Sequence, residues 1–178
     1  MTFKVTAIPL WRALCENGLL VERKPLRPRP PNSVVRTLLA TPGVDDLLSG
    51  RREFGVFPDA SAERLIGVFC AGYRVRVSRT KTALKPDMER LHGYDEVWAL
   101  CAREPRPGWR ILGRFYAKNV FVAFTAWEKG KLFTQYDAAA QEVIDLWNGM
   151  FGDRGPFSAG SVEEYLGDIA DDIDNPKS

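Results

Sequence analysis

Residues 108–131 read GWRILGRFYAKNVFVAFTAWEKGK, and the reading of this stretch decides the fold. WRILGRFY is rich in aromatic and β-branched or aliphatic residues and predicts a strand. Ala117-Lys118-Asn119 makes a tight connection, and VFVAFTAW follows as a strand that is apolar on both faces. Such a strand belongs inside a sheet or beneath a helix. Period-2 alternation puts Arg110, Leu112, Arg114 and Tyr116 on one face of the first strand, and Trp109, Ile111 and Phe115 on the other. Arg110 and Arg114 are then roughly 13 Å apart along the strand, a spacing suited to an extended polyanion.

Working outward, DEVWALCARE predicts a strand before the Pro105/Pro107/Gly108 turn, so the three strands form an antiparallel meander. The meander returns the EKGK loop to the end of the sheet that holds Arg103 and Arg110. Lys129 and Lys131 therefore join those arginines at one rim, beside Trp109, Trp127 and Tyr136. Guanidinium and ammonium groups hold phosphates, and neighbouring aromatics stack bases. The plainer reading is that these are strand-end charges that block edge pairing. Arg114 points to the opposite end of the strand and is the outlying member of the set.

The rest of the chain supplies helices. KPDMERLHGY predicts a short helix, with proline near its first turn and glycine past its end. Thr134 and Asp137 resemble a capping box opening a helix that carries Ala140, Val143, Leu146, Trp147 and Met150 at sheet-covering spacing. Ser161 and Glu164 form a second such box for a helix over 161–173. Upstream, SVVRTLLA and VDDLLS predict two helical pieces around Thr41-Pro42-Gly43, and PDASAERLIGVFCAGY a longer helix. RVRVSRTK alternates basic and apolar residues and suits an exposed strand edge. VERKPLRPRPP (21–31) combines four basic residues with four prolines and predicts an extended segment. The chain divides into a mainly helical extension over 1–84, an α+β domain over 85–157, and an acidic helix or tail over 158–178.

The 178 residues carry a net charge of +2, but the last 18 hold six acidic groups and one lysine, leaving about +7 on the remainder. An acidic partner fits that balance. The acidic tail either screens the basic rim or docks on a partner, or is a solvated helix packing its apolar stripe on the core. Cys15, Cys70 and Cys101 give no disulfide framework, and His92 is the only histidine, so neither a structural metal nor a cofactor is expected. His92, at a predicted helix end, reads as a capping or packing residue. No apolar run, neither Val97–Ala102 nor the stretch Val120–Ala126, approaches the length of a bilayer span, and the N-terminus lacks the charged region of a signal peptide. The expectation is a cytoplasmic protein with no membrane attachment.

Residues from about Met88 to Phe151 resemble the RelE/HigB group of bacterial toxins. DEVWALCARE, PGWRILGRFY, NVFVAFTAWEKGK and QYDAAAQEVIDLW follow the order of that family's strands, basic loop and closing helix. The resemblance implies an α+β fold: a small antiparallel RelE-like sheet covered by helices, here with a helical N-terminal lobe. It implies a ribosome-linked mRNA endonuclease of a toxin–antitoxin system, with mRNA and a cognate antitoxin as partners. Arg110 matches the family's arginine, Arg103 a basic position one strand earlier, Tyr136 its tyrosine, and Lys129 or Lys131 its loop cation. Cleavage by 2′-hydroxyl attack needs a proton acceptor, a cation at the phosphate and an acid for the leaving oxygen. Arginine supplies only the cation, which leaves proton transfer to Tyr136 or a lysine. Two further readings stay open: a non-enzymatic phage or mobile-element module that captures a host protein or nucleic acid, and a gyrase-directed relative.

Overall fold

The computed structural model describes residues 8–24, 31, 35–51, 57–80, 85–167 and 170–175. Its organising element is the hairpin of the opening stretch. Strand β6 (Trp109–Ala117) pairs antiparallel with β7 (Val120–Glu128), from Trp109↔Glu128 to Ala117↔Val120. Asn119 adopts a positive φ of 62° in the tight turn between them. Strand β5 (Trp98–Ala102) lies on the other side of β6, with Cys101 opposite Arg110. The meander expected from the sequence is therefore present.

Around it the chain builds something larger than the small antiparallel sheet expected above. Eight strands form one mixed sheet in the order β1-β2-β7-β6-β5-β4-β3-β8. The added strands are β1 (Val21–Arg23), β2 (Thr37–Ala40), β3 (Val75–Ser78), β4 (Met88–Arg90) and β8 (Ala170–Asp172). Three of the pairings, β2 with β7, β3 with β4 and β3 with β8, are parallel. The RelE-like sheet with a helical N-terminal lobe is thus corrected: the first 84 residues supply three strands of the same sheet, besides α1 (Leu10–Glu16), α2 (Pro42–Leu48) and α3 (Asp59–Cys70).

Each misread element has a physical reason. TLLA of SVVRTLLA, read as helix, becomes β2 because both its faces are covered, and Leu38, Leu39 and Ala40 are fully buried. Helix propensity is a weak prior that such burial overrides. KPDMERLHGY, also read as helix, gives β4, whose entry is fixed by the Asp87 carboxylate accepting the Arg76 backbone N–H at 3.0 Å. RVRVSRTK gives β3, but β8 closes what was expected to be an open edge. The predicted helix over 161–173 stops at Leu166 as α6 (Val162–Leu166), although its Ser161 cap does accept the Glu164 N–H at 3.3 Å. EKGK, read as a loop, opens α4 (Lys129–Thr134), and the covering helix is α5 (Tyr136–Phe151). Thr134 does not cap α5; its hydroxyl donates to the Lys131 carbonyl.

Two cores follow from the strand alternation. On one face Trp98, Trp109, Ile111, Phe115 and Phe121 pack with Ile66 and Phe69 of α3 and with Tyr165 of α6. On the other, Leu112, Tyr116, Val122 and Phe124 pack with Ala140, Val143, Trp147 and Phe151 of α5. The β6/β7 register shifts between Leu112 and Gly113, where β7 carries one extra residue. A bulge of this kind reverses the side-chain phase. Phe124 and Trp127 accordingly both meet the α5 core, while Ala126 meets the α3 core. Gly113 is required there, since a Cβ would lie 2.0 Å from the Val122 carbonyl oxygen.

Buried polar groups tie the layers together. The Glu96 carboxylate accepts from Trp98 Nε1 at 3.0 Å, Tyr165 OH at 2.7 Å and Ser158 Oγ at 3.2 Å. Arg36, 1% exposed, donates to the carbonyls of Leu166 and Tyr73, and burial lowers its pKa to about 10. Acidic residues of the C-terminal segment meet β3 and its flanks: Asp171 pairs with Arg74, and Asp174 accepts the Arg79 and Thr80 backbone N–H groups. Among the described residues no helix is long and apolar enough to cross a membrane. The proline-rich run expected to be extended lies mostly outside the described residues, its first residues forming β1.

Candidate functional site

The turn between β5 and β6 and the start of α4 face each other across a cleft of about 560 Å³. Gly108 shapes the turn: its φ is +82°, and a Cβ there would sit 2.9 Å from the Ala102 carbonyl oxygen. Its carbonyl accepts the Lys129 N–H at 2.9 Å, which fixes α4 against the turn. Two peptide bonds of the turn, Glu104–Pro105 and Arg106–Pro107, are cis.

Among the described residues, the cationic side chains of Lys85, Arg103, Arg106, Arg110 and Lys129 line the cleft, against the single carboxylate of Glu104. Their states differ. Arg110 forms the floor, 4% exposed, and donates from Nε to Glu89 Oε1 at 2.7 Å and from a terminal nitrogen to the Trp109 carbonyl at 3.2 Å. Burial opposes its charge, yet its pKa stays above the ordinary arginine value. The neighbouring Cys101 thiol is itself pushed up by burial and stays protonated, so Glu89 is the counter-charge that matters. Arg103 caps the Pro86 carbonyl through Nε at 3.1 Å and a second nitrogen, pinning the end of β5 to the entry of β4. Lys85, Arg106 and Lys129 are exposed and have no ion pair among the described residues. These three are the cations available to a ligand.

Phe133 completes the cleft. It is 87% exposed, on the second turn of α4, and lines the same space. Burying such a ring against another flat apolar surface is favourable by a few kcal/mol at most, about 1–3 for a stacked base. An apolar ring held in water among cations is a platform for a ligand that is both aromatic and anionic.

The expected set of residues divides. Arg103, Arg110 and Lys129 share the cleft, as the meander implied. Lys131 and Trp127 line a neighbouring cavity of about 300 Å³ instead. Trp109 faces the other core, 4% exposed, with its ring 5.1 Å from that of Phe57. Arg114 is buried further along β6 on the same face, donating to the Asp95 carbonyl at 2.7 Å and lying 5.6 Å over the Trp147 ring. Tyr136 stands at the start of α5 against Tyr94, ring centroids 5.8 Å apart. Burial raises its pKa, only partly offset by the His92 backbone N–H. His92 is an exposed turn residue outside the cleft.

Lys85, Glu104, Arg106 and Phe133 were not singled out from the sequence. Arg106, a cation between two prolines in a turn, carried a usable signal. Phe133 was hidden because α4 was read as loop. Among the described residues no group of three or more histidine, cysteine or carboxylate side chains is placed to hold a metal ion. The cleft can thus bind phosphates and stack a ring. Among the described residues, Glu104 is its only carboxylate, and no tyrosine, histidine or thiol lines it to complete a proton-transfer pair. Comparison with family models, with curated proteins and with solved structures finds no match to this chain.

Proposed function

We propose that the chain is a nucleic-acid-binding module that holds a single strand, RNA in the first instance, in the cleft between the β5–β6 turn and α4. The observation that carries this reading is the exposed Phe133 ring set among Lys85, Arg106 and Lys129. Cations follow the phosphates while the ring stacks on an unpaired base; a duplex keeps its bases inside and offers the ring nothing. Buried Arg110 and half-buried Arg103 act behind them, as a positive floor held in place by Glu89 and the Pro86 carbonyl. A cytoplasmic setting belongs to this reading.

Binding is favoured over strand scission because Tyr136, the expected proton acceptor, has a raised pKa and lies outside the lining. The test is fluorescence anisotropy with a labelled single-stranded RNA, its DNA equivalent and a duplex. Single strands should bind at least tenfold more tightly than the duplex, and Phe133→Ala should weaken them by about tenfold or more. Equal affinity for duplex and single strand, unmoved by Phe133→Ala, overturns the reading. Denaturing gels of the same mixtures read scission: intact RNA supports a binding module. Cleavage abolished by Glu104→Gln makes the chain an endonuclease instead.

A further inference from the structure

Strand β7 is paired on both sides only along its first half. The β2 ladder ends at Ala40↔Ala123. There Thr41 turns away, its N–H donating to the Ala123 carbonyl and its hydroxyl to the Phe124 carbonyl, each at 3.0 Å. Beyond that point, Thr125–Glu128 pair with β6 alone among the described residues. The Lys129 N–H bonds the Gly108 carbonyl, and antiparallel bonding alternates, so Trp127 and Thr125 turn their backbone groups toward β6. Ala126 N–H and C=O and Glu128 N–H then face the opposite way. Glu128 C=O, at the N-cap of α4, is available to the helix.

These groups open into the cavity of about 300 Å³ between α2 on one side and α4 and α5 on the other. Thr125 Oγ1 is inaccessible to water and has no hydrogen-bond partner among the described residues. Free edges are ordinarily guarded by proline or by an inward-pointing charge. Thr125-Ala126-Trp127 has neither; the nearest charge is Glu128 at its end.

We propose that this half-edge binds an extended peptide segment of a partner protein, added to the sheet in line with β2. Alternating donors and acceptors along a strand are matched by another peptide backbone, which commits the ligand class. The walls set its side chains. Residues turned toward α2 meet Val44 and Leu47 and must be apolar; those turned toward α4 and α5 meet Glu128, Lys131 and Glu142. Two carboxylates against one ammonium favour a basic residue there. The partner segment therefore alternates apolar and basic residues. This surface is separate from the phosphate cleft, and the inference stands whether or not a nucleic acid binds there.

The test uses a fluorescein-labelled lysine–valine alternating hexapeptide, the same peptide N-methylated on every second amide, and the full chain. Anisotropy should report binding that N-methylation weakens at least tenfold. Hydrogen exchange should slow at the Ala126 and Glu128 amides when the unmodified peptide is present. Binding should persist in Arg106→Ala and Lys129→Ala, which separates this site from the cleft. Equal affinity for the N-methylated peptide shows charge attraction alone and overturns the proposal, as does an unchanged exchange rate at Ala126. If those amides are already protected without peptide, in step with a concentration-dependent dimer in sedimentation, a second copy occupies the edge and the proposed occupant is wrong.

Discussion

If the cleft holds a phosphate backbone through its exposed cations, the salt dependence of binding should count them. Lys85, Arg106 and Lys129 are free to meet phosphates, whereas Arg103 and Arg110 are engaged with Pro86 and Glu89. For a single strand, each neutralised phosphate adds about 0.7 to the slope of log affinity against log salt. Three contacts give a slope of about −2, so raising salt from about 50 to 200 mM should weaken binding roughly 18-fold. Removing one exposed cation, as in Arg106→Ala, should flatten the slope to about −1.4 and the loss to roughly sevenfold. Phe133→Ala should lower affinity at every salt concentration and leave the slope alone, because stacking releases no counterions. Anisotropy titrations of a labelled single-stranded RNA over four or more salt concentrations measure all three. A slope near zero, or one that Arg106→Ala leaves unchanged, refutes the assignment of these cations to phosphates. A slope near −3.5 refutes the division between free and engaged cations, because all five would then be meeting phosphates.

Glu96→Ala strands the buried Trp98 Nε1 and the Tyr165 hydroxyl without an acceptor and should cost roughly 3–5 kcal/mol; a fall in Tm of about 10 °C by calorimetry is the expected reading. Burial, then the hydrogen bond to Glu96, raises the Tyr165 pKa to about 12. The unfolded phenol ionises near 10, so its stabilisation is complete below about pH 10 and is lost as pH rises toward 12. Melts at pH 9 and 11 should show a drop that Tyr165→Phe reduces. Alkylation of the native chain, read by mass spectrometry, should label Cys15 and spare Cys70 and Cys101, which are 0% and 4% exposed.

How far the sequence could be read depended on where the partner of each segment lies. The meander and α5 were legible because their neighbours are adjacent in the chain and their periodicity is local. Arg103, Arg110 and Lys129 came together on that basis alone. β2, β4 and β8 were not legible. TLLA and MER carry no strand signal of their own and are held by distant ladders, Thr37 to Val120 and Met88 to Leu100. Arg114 illustrates the same limit at a single residue. Alternation placed it correctly on the face of Arg110, but only the arrival of Trp147 and the Asp95 carbonyl buries it. Phe133 was lost because the short helix that displays it begins at a glycine-containing basic stretch resembling a turn.

The sheet also fixes an order of events during synthesis. Thr37 finds its partner only when Val120 has been made, and Val75 its outer one only with Ala170. A ribosome adding about 5–20 residues per second leaves β2 without its β7 neighbour for several seconds, paired at most with β1, and with Leu38 and Leu39 lacking their cover. The hairpin β6–β7 can form at once and then serve as the template on which the earlier strand docks. Substitutions that slow that hairpin should therefore lower the yield of soluble protein more than they lower the stability of what has folded.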